Sequence, residues 1–239
     1  ADGSFVAGSW AKGGVCVVPL PGFRAWTPDD PYLYTLDITC GEDRVESYFA
    51  MRKFSYVELG GHKVFGLNNA PLFHNGLLDQ GYYPDGLLTP PSDEAMVNDI
   101  ETMKRCGFNM LRKHIKIEPL RWYYHCDRLG MIVWQDMPSG DRGPQWQMHN
   151  YFTGEEKHRS AESEANFRKE WKEIIDYLYS SPSIGVWVPF NECWGQFKTQ
   201  EIVEWTKAYD PSRLVNPASG GNHYLTGDIL DTHHYPNPR

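Results

Sequence analysis

Ser183-Ile184-Gly185-Val186-Trp187-Val188-Pro189-Phe190-Asn191-Glu192 is an uncharged, apolar run that stops abruptly at an amide and a carboxylate. A strand buried on both faces reads as a continuous apolar run of this kind. In α/β sheets and barrels the reactive groups sit just past the strands' carboxyl ends. The stretch therefore predicts a parallel strand with Glu192 as the leading catalytic candidate. The competing role for Glu192 is to cap the helix that follows.

Outward from this strand, from about residue 62, the chain alternates between strand and helix signals. Ser92 suits the N-cap of a helix whose apolar Met96, Val97, Ile100 and Met103 fall at helical spacing, and Gly107 stops it. Phe108-Asn109-Met110-Leu111-Arg112 reads as a strand. Pro119 suits a first helical turn, with Trp122, Tyr123, Cys126 and Leu129 on one face and Gly130 as the stop. Met131-Ile132-Val133-Trp134 is the next strand, and a long loop around 140–154 follows. Phe167, Trp171, Ile174, Ile175 and Leu178 then mark the helix leading into the quoted run. A further helix carrying Ile202, Trp205 and Ala208 ends at Asp210-Pro211, and Arg213–Asn216 and Asp228–Asp231 read as two shorter strands. With a first strand near Phe73–Leu78, about six strands alternate with helices or long connections, the pattern of a parallel α/β fold. Eight such units close a barrel.

Residues 1–56 read differently. Val15-Cys16-Val17-Val18, Tyr32–Ile38 and Val45–Phe49 are β-rich pieces separated by Pro, Gly and Asp, which is antiparallel sandwich material with too few strands to close a sandwich. The expected division is 1–56 as the end of a sandwich domain and 57–239 as the start of a barrel domain.

Composition narrows the function. A formal charge of -8 argues against nucleic acid or an anionic membrane as the main partner. Nine Trp and fourteen Tyr suit a cleft that stacks on flat sugar faces, although large cores use such rings too. Cys16, Cys40, Cys106, Cys126 and Cys193 form no C-x-x-C pair, so free thiols are expected rather than a zinc ribbon or a disulfide framework. No stretch is long and apolar enough to span a bilayer, and no signal peptide is visible from Ala1 onward; the compartment stays open. His223, His233 and His234 raise the idea of a metal, but neighbours in an extended segment face opposite sides, so no metal is expected. Tyr82-Tyr83-Pro84-Asp85-Gly86 either walls a cleft or merely turns.

Taken together, the motifs resemble glycoside hydrolase family 2, the family of β-galactosidases, β-glucuronidases and β-mannosidases. Trp26–Tyr34 is similar to a phrase near the end of that family's immunoglobulin-like sandwich, and Tyr48-Phe49-Ala50-Met51-Arg52 to its closing Phe-Gly-Phe-Arg, with Ala50 in place of the glycine. Asp99–Lys104 with Gly107–Arg112, then Tyr124–Gly130, resemble the opening of its barrel, and Ser181–Ile184 with Phe190-Asn191-Glu192 its acid/base segment. The resemblance implies a partial TIM (β/α)8 barrel behind the end of an immunoglobulin-like β-sandwich. It also implies a retaining β-glycosidase that acts on a β-linked oligosaccharide or glycoside without a cofactor, with homo-oligomerisation left open.

Residue by residue, the resemblance makes Glu192 the general acid/base and has Asn191 bind the sugar's 2-hydroxyl, a bond that strengthens as the ring becomes oxocarbenium-like. Arg112 would orient the site's carboxylates, or else form an ordinary salt bridge. Trp187 and Trp194 would supply walls. His114 stands one residue earlier than in the family's Arg-Ser-Ser-His-Tyr-Pro. Asp136, in Trp134-Gln135-Asp136, is similar to the Trp-Gln-Asp of the family's β-mannosidases and is a site residue or a helix cap. Asp231–Pro236 resembles the sixth strand end, where His233 and Tyr235 would line the substrate subsite.

A retaining glycosidase needs two carboxylates about 5 Å apart. Asp79, Glu118, Asp136 and Asp231 match no nucleophile motif, and the family's nucleophile lies on the seventh strand, so the nucleophile is expected to be absent and the chain to be a fragment. The rival readings are a catalytically inactive carbohydrate-binding protein on the same fold and another barrel family with an Asn-Glu ending. The sandwich phrase Trp26–Tyr34 disfavours the second.

Overall fold

The computed structural model describes residues 5–11, 14–142 and 154–235. Its first elements are antiparallel. β1 (Tyr34–Cys40) and β2 (Asp43–Phe49) form a hairpin, and β3 (Phe54–Leu59), β4 (His62–Leu67) and β5 (Ala70–Pro71) form a three-stranded sheet. The parallel part follows as β6 (Gly76–Asp79), α1 (Asp93–Arg105), β7 (Met110–Lys113), α2 (Leu120–Leu129), β8 (Ile132–Asp136), α3 (Ala161–Leu178), β9 (Ile184–Val188), α4 (Thr199–Tyr209) and β10 (Leu214–Val215). β6 to β10 make one five-stranded parallel sheet in chain order, as in the wall of a barrel; a doubly wound sheet would reverse its order. Among the described residues no helix is long and apolar enough to cross a membrane.

The helix signals hold. Ser92 Oγ accepts from Ala95 N at 3.2 Å to start α1, and Gly130, left-handed at φ 74°, ends α2. Met96 and Ile100 of α1, Trp122, Tyr123 and Cys126 of α2, Phe167, Trp171, Ile175 and Leu178 of α3, and Ile202 and Val203 of α4 pack on the outer face of the sheet in one core. Ala208 is exposed, so α4 presents Val203 and Thr206 instead. Val15–Val18 lies outside any strand and is exposed.

The expected sixth strand, Asp228–Asp231, forms no ladder. Asp228 does reach β10, donating its N–H to Val215 O at 2.8 Å, but its own carboxylate accepts the Val215 N–H at 2.9 Å. The donor that a neighbouring strand's carbonyl would have taken is therefore used by a side chain.

The inner face of the sheet is phased by a bulge. Val133 pairs with Ile184 but Trp134 pairs with Val186, so Gly185 is the extra residue. Val186 and Val188 thereby turn inward, onto Tyr56 and Phe65 of the antiparallel sheet, while Trp187 turns outward. A Cβ on Gly185 would lie 2.9–3.0 Å from the Phe54 ring, so close approach excludes a side chain there.

The β1–β2 region is joined to the barrel part at Asp127. Its carboxylate accepts from Tyr48 OH at 2.7 Å and Ser183 N at 2.8 Å, and its carbonyl accepts from Trp26 Nε1 at 2.7 Å. Burial pushes the Asp127 carboxyl up to about 6, against the bonds from Ser183 and Tyr48 that favour its charged form.

Gly185→Ala should lower the urea midpoint by the equivalent of about 1–3 kcal/mol. An unchanged midpoint would show that Phe54 gives way freely. Because the folded value of Asp127 lies above that of an exposed aspartate, its contribution to folding is complete below about pH 4. That contribution is lost as pH rises through about 6. Asp127→Asn should flatten this limb of the stability–pH curve; a variant curve parallel to the wild type between about pH 4 and 7 would contradict it.

Candidate active site

The carboxyl ends of β7, β8 and β9 converge on one guanidinium. Arg112 donates from Nε to Asp136 Oδ1 at 2.9 Å, and from Nη2 to Asp136 Oδ2 and Asn191 Oδ1 at 2.8 Å each, all buried. Alternation along the strands aims these groups: Arg112 and Asp136 face inward, whereas their neighbours Lys113 and Gln135 face the helix layer. Asp136 caps no helix; its second bond partner is Ile115 N at 3.1 Å.

His114 lies within side-chain hydrogen-bonding reach of Asn191, with its Nδ1 at 3.2 Å from Gln80 Nε2. The histidine that stands one position early thus still reaches the site: two residues on from Arg112 it shares that inward face, its N–H donates to Asp79 O at 2.9 Å, and the backbone turns sharply after it at Ile115, φ 45°. Burial lowers the His114 pKa, with Asp136 and Glu192 pulling the other way.

Past β9, Asn191 opens a tight turn closed by Trp194 N donating to Asn191 O at 2.9 Å. Both central residues are left-handed, Glu192 at φ 48° and Cys193 at φ 67°, a strained choice for residues other than glycine. The turn is anchored where Glu192 N donates to Ala218 O and Ser219 O, at 3.2 and 3.1 Å. Glu192 does not cap α4: the Thr199 amide is satisfied by Glu156 Oε1 at 2.6 Å.

The Glu192 carboxylate, with its side chain 18% exposed, has one oxygen bound twice. Oε1 contacts His233 Nδ1 at 2.6 Å and accepts from Tyr235 OH. Those two side chains come from the segment after Asp228, which reaches the site without being a strand. The bond to Glu192, helped by burial, pushes the Tyr235 phenol up to about 12, so it stays a donor at neutral pH. His233 Nε2 lies 3.1 Å from Ser219 Oγ. Asp231 backs this pair. Burial alone would raise its carboxyl, but bonds from His223, Asn216 and the Gly220 amide outweigh it and hold the group well below the usual range.

One expectation shifts. Trp187 is not a wall: it is fully buried among the helices, with Nε1 donating to Asp210 Oδ2 at 2.8 Å and its ring edge-on to Trp171. Trp194 is 56% exposed beside the turn, its carbonyl held by Ser139 Oγ at 2.7 Å. His234 is exposed while His233 faces Glu192, and Tyr83 is buried in a closed turn that leaves Tyr82 exposed. Sequence reasoning missed Ser219 and Gln80. Gln80 follows a strand end directly, which was a usable signal; Ser219 sits in an irregular loop that offers none.

Residues 89–236 match the family model described as "Glycosyl hydrolases family 2, TIM barrel domain". A β-galactosidase of Leuconostoc mesenteroides is 27% identical over 225 residues, covering 89% of this chain and 20% of that protein. Among solved structures, β-glucuronidase 3 of Bacteroides uniformis superposes with a TM-score of 0.65 at 23% identity, covering 83% of this chain and 25% of that one. A β-glucuronidase from an uncultured Clostridium superposes at 0.67 with 20% identity, over 84% and 34%. The chain spans about a fifth of the length of the curated relatives it matches.

Arg112→Met should leave the Asp136 carboxylate buried without its counter-ion and destabilise by about 3–5 kcal/mol, read from chemical denaturation. Arg112→Met with Asp136→Leu should recover part of that loss; a double variant no better than the single one would contradict the pairing.

Proposed function

The chain belongs to family 2 of the glycosyl hydrolases, and from that premise we propose that its parent protein is a retaining β-glycosidase with Glu192 as general acid/base. Residues 1–56 are then the end of an immunoglobulin-like sandwich, supported by the β1–β2 hairpin, and 57–239 the first part of the catalytic barrel, with β3 (Phe54–Leu59) running across that division. The observation that carries the reading is the Glu192 carboxylate: it is partly open, fixed on one oxygen by His233 and Tyr235, and next in the chain to an asparagine locked by Arg112.

In this reading, holding Oε1 leaves Oε2 to face the glycosidic oxygen. Glu192 donates its proton as the bond to the leaving group breaks, then takes one from the attacking water in the second step. Asn191, its carbonyl oxygen occupied by Arg112, keeps its amide hydrogens for the sugar. Asp136 is fully buried behind Arg112, which makes it a support for Asn191 rather than a sugar contact. Trp194 and Tyr235 offer exposed rings for the bound glycoside.

The second carboxylate is not found among the other acids named above. Asp79 and Glu118 are held by Lys113, Asp136 by Arg112, and Asp231 by His223 and Asn216. The reading therefore assigns the nucleophile to a glutamate outside the described residues. The sugar stays open between galactoside, glucuronide and mannoside.

The protein from the complete reading frame should release the β-anomer first from a β-linked aryl glycoside, as followed by proton NMR. Initial release of the α-anomer would sink the retaining mechanism. Glu192→Gln should cut kcat/KM by about 10²–10⁴-fold on poor leaving groups and far less on activated ones, for which the second step, deprived of its base, still lowers kcat. Sugar affinity without hydrolysis in the wild type would favour the inactive binding protein instead. The 239-residue chain by itself should show little turnover, and full activity would refute the assignment of the nucleophile.

A further inference from the structure

Behind the sugar-facing groups lies a cluster of four charges that the proposed chemistry does not use. The side chain of Lys113 is fully buried, with Nζ 2.8 Å from both Asp79 Oδ2 and Glu118 Oε1 and 4.2 Å above the Trp122 ring. Lys116 Nζ meets the same Glu118 oxygen at 2.7 Å and donates to Gly81 O at 2.7 Å. The Lys116 carbonyl accepts from Gln135 Nε2 at 2.8 Å, and Gln135 is fixed in turn by Tyr123 OH at 2.6 Å. The loop after β6 is pressed into this cluster: a Cβ on Gly81, φ 64°, would lie 2.3 Å from Glu118 Oε1.

Buried ion pairs are an inefficient way to stabilise a fold, because desolvation offsets their attraction. Their placement suggests a geometric task. The two lysines flank His114 and Ile115, and Ile115 holds φ at 45°, an outlier for a β-branched residue that persists only when its surroundings over-determine it. Its amide is bound by Asp136 at 3.1 Å on the sugar side, and the lysines pin the chain before and after it on the helix side. His114, between its ladder bond to Asp79 O at 2.9 Å and this turn, lies beside Asn191 and Gln80.

We propose that Lys113 and Lys116, acting through Glu118 and Asp79, clamp Ile115 in its left-handed turn and so aim His114 into the site; they are positioning residues for sugar recognition. The functional half rests on the glycosidase reading above, whereas the clamp itself does not.

The test uses the protein from the complete reading frame with 13C-histidine, the His114 signal being assigned by its loss in His114→Gln. Lys116→Met should move the His114 ring resonances and raise their titration midpoint toward that of an exposed histidine. Lys116→Met with Ile115→Gly should restore both, because glycine takes the left-handed turn unaided. Lys116→Arg should keep the wild-type signal. Unchanged His114 signals in folded Lys116→Met, or equal displacement in the double variant, would overturn the clamp. If Lys116→Met fails to fold, folding of the double variant supports the clamp and its failure overturns it. For an aryl β-glycoside, Lys116→Met should raise KM about tenfold with little change in kcat. If the wild type binds no aryl glycoside, the glycosidase reading fails while the histidine signals still decide the clamp.

Discussion

One guanidinium organises this molecule. Arg112 leaves β7 pointing inward and ties the end of β8, through Asp136, to the segment beyond β9, through Asn191. A buried arginine costs much desolvation and is tolerated when its donors are met with good geometry, as in the two-point contact with Asp136. Glu192 takes its position from the next peptide. If Asn191 were free to turn, the left-handed turn carrying Glu192 would lose its tie to β7 and β8.

The two faces of each strand divide the labour. Arg112 and Asp136 point toward the substrate side, while Lys113 and Gln135, each adjacent in the chain, point to the helices and brace the loop that carries His114. The bulge at Gly185 keeps this division in phase across β9, placing Val186 and Val188 inside and Trp187 among the helices. The loops past the strand ends carry strained, left-handed residues at Ile115, Glu192 and Cys193. Such strain survives where the surrounding bonds over-determine the backbone, and it is common at functional sites.

Much of this was legible in the sequence because it is local. The apolar run ending at Asn191-Glu192, the cap at Ser92 and the stop at Gly130 are written in residue types whose physics acts within one turn or one strand. What escaped depends on partners distant in the chain. The missing ladder at Asp228–Asp231 follows from a side chain taking a backbone donor of β10, which no propensity records. The fate of Trp187 turns on one extra residue at Gly185, which alternation cannot place inside an unbroken apolar run. His114 stands one position early in the motif, yet it shares the inward face of Arg112 two residues before it, and its contact with Gln80 comes from the end of a strand that the motif does not connect to it.

The central claim is that Glu192 handles the proton of a retaining glycosidase, and chemical rescue tests it most directly. In the protein from the complete reading frame, Glu192→Ala should hydrolyse an activated aryl β-glycoside slowly, and added azide should accelerate turnover. The product should be the β-glycosyl azide, since an anion needs no general base to attack the glycosyl-enzyme intermediate in the second step. No acceleration by azide, or an α-glycosyl azide, would contradict the account.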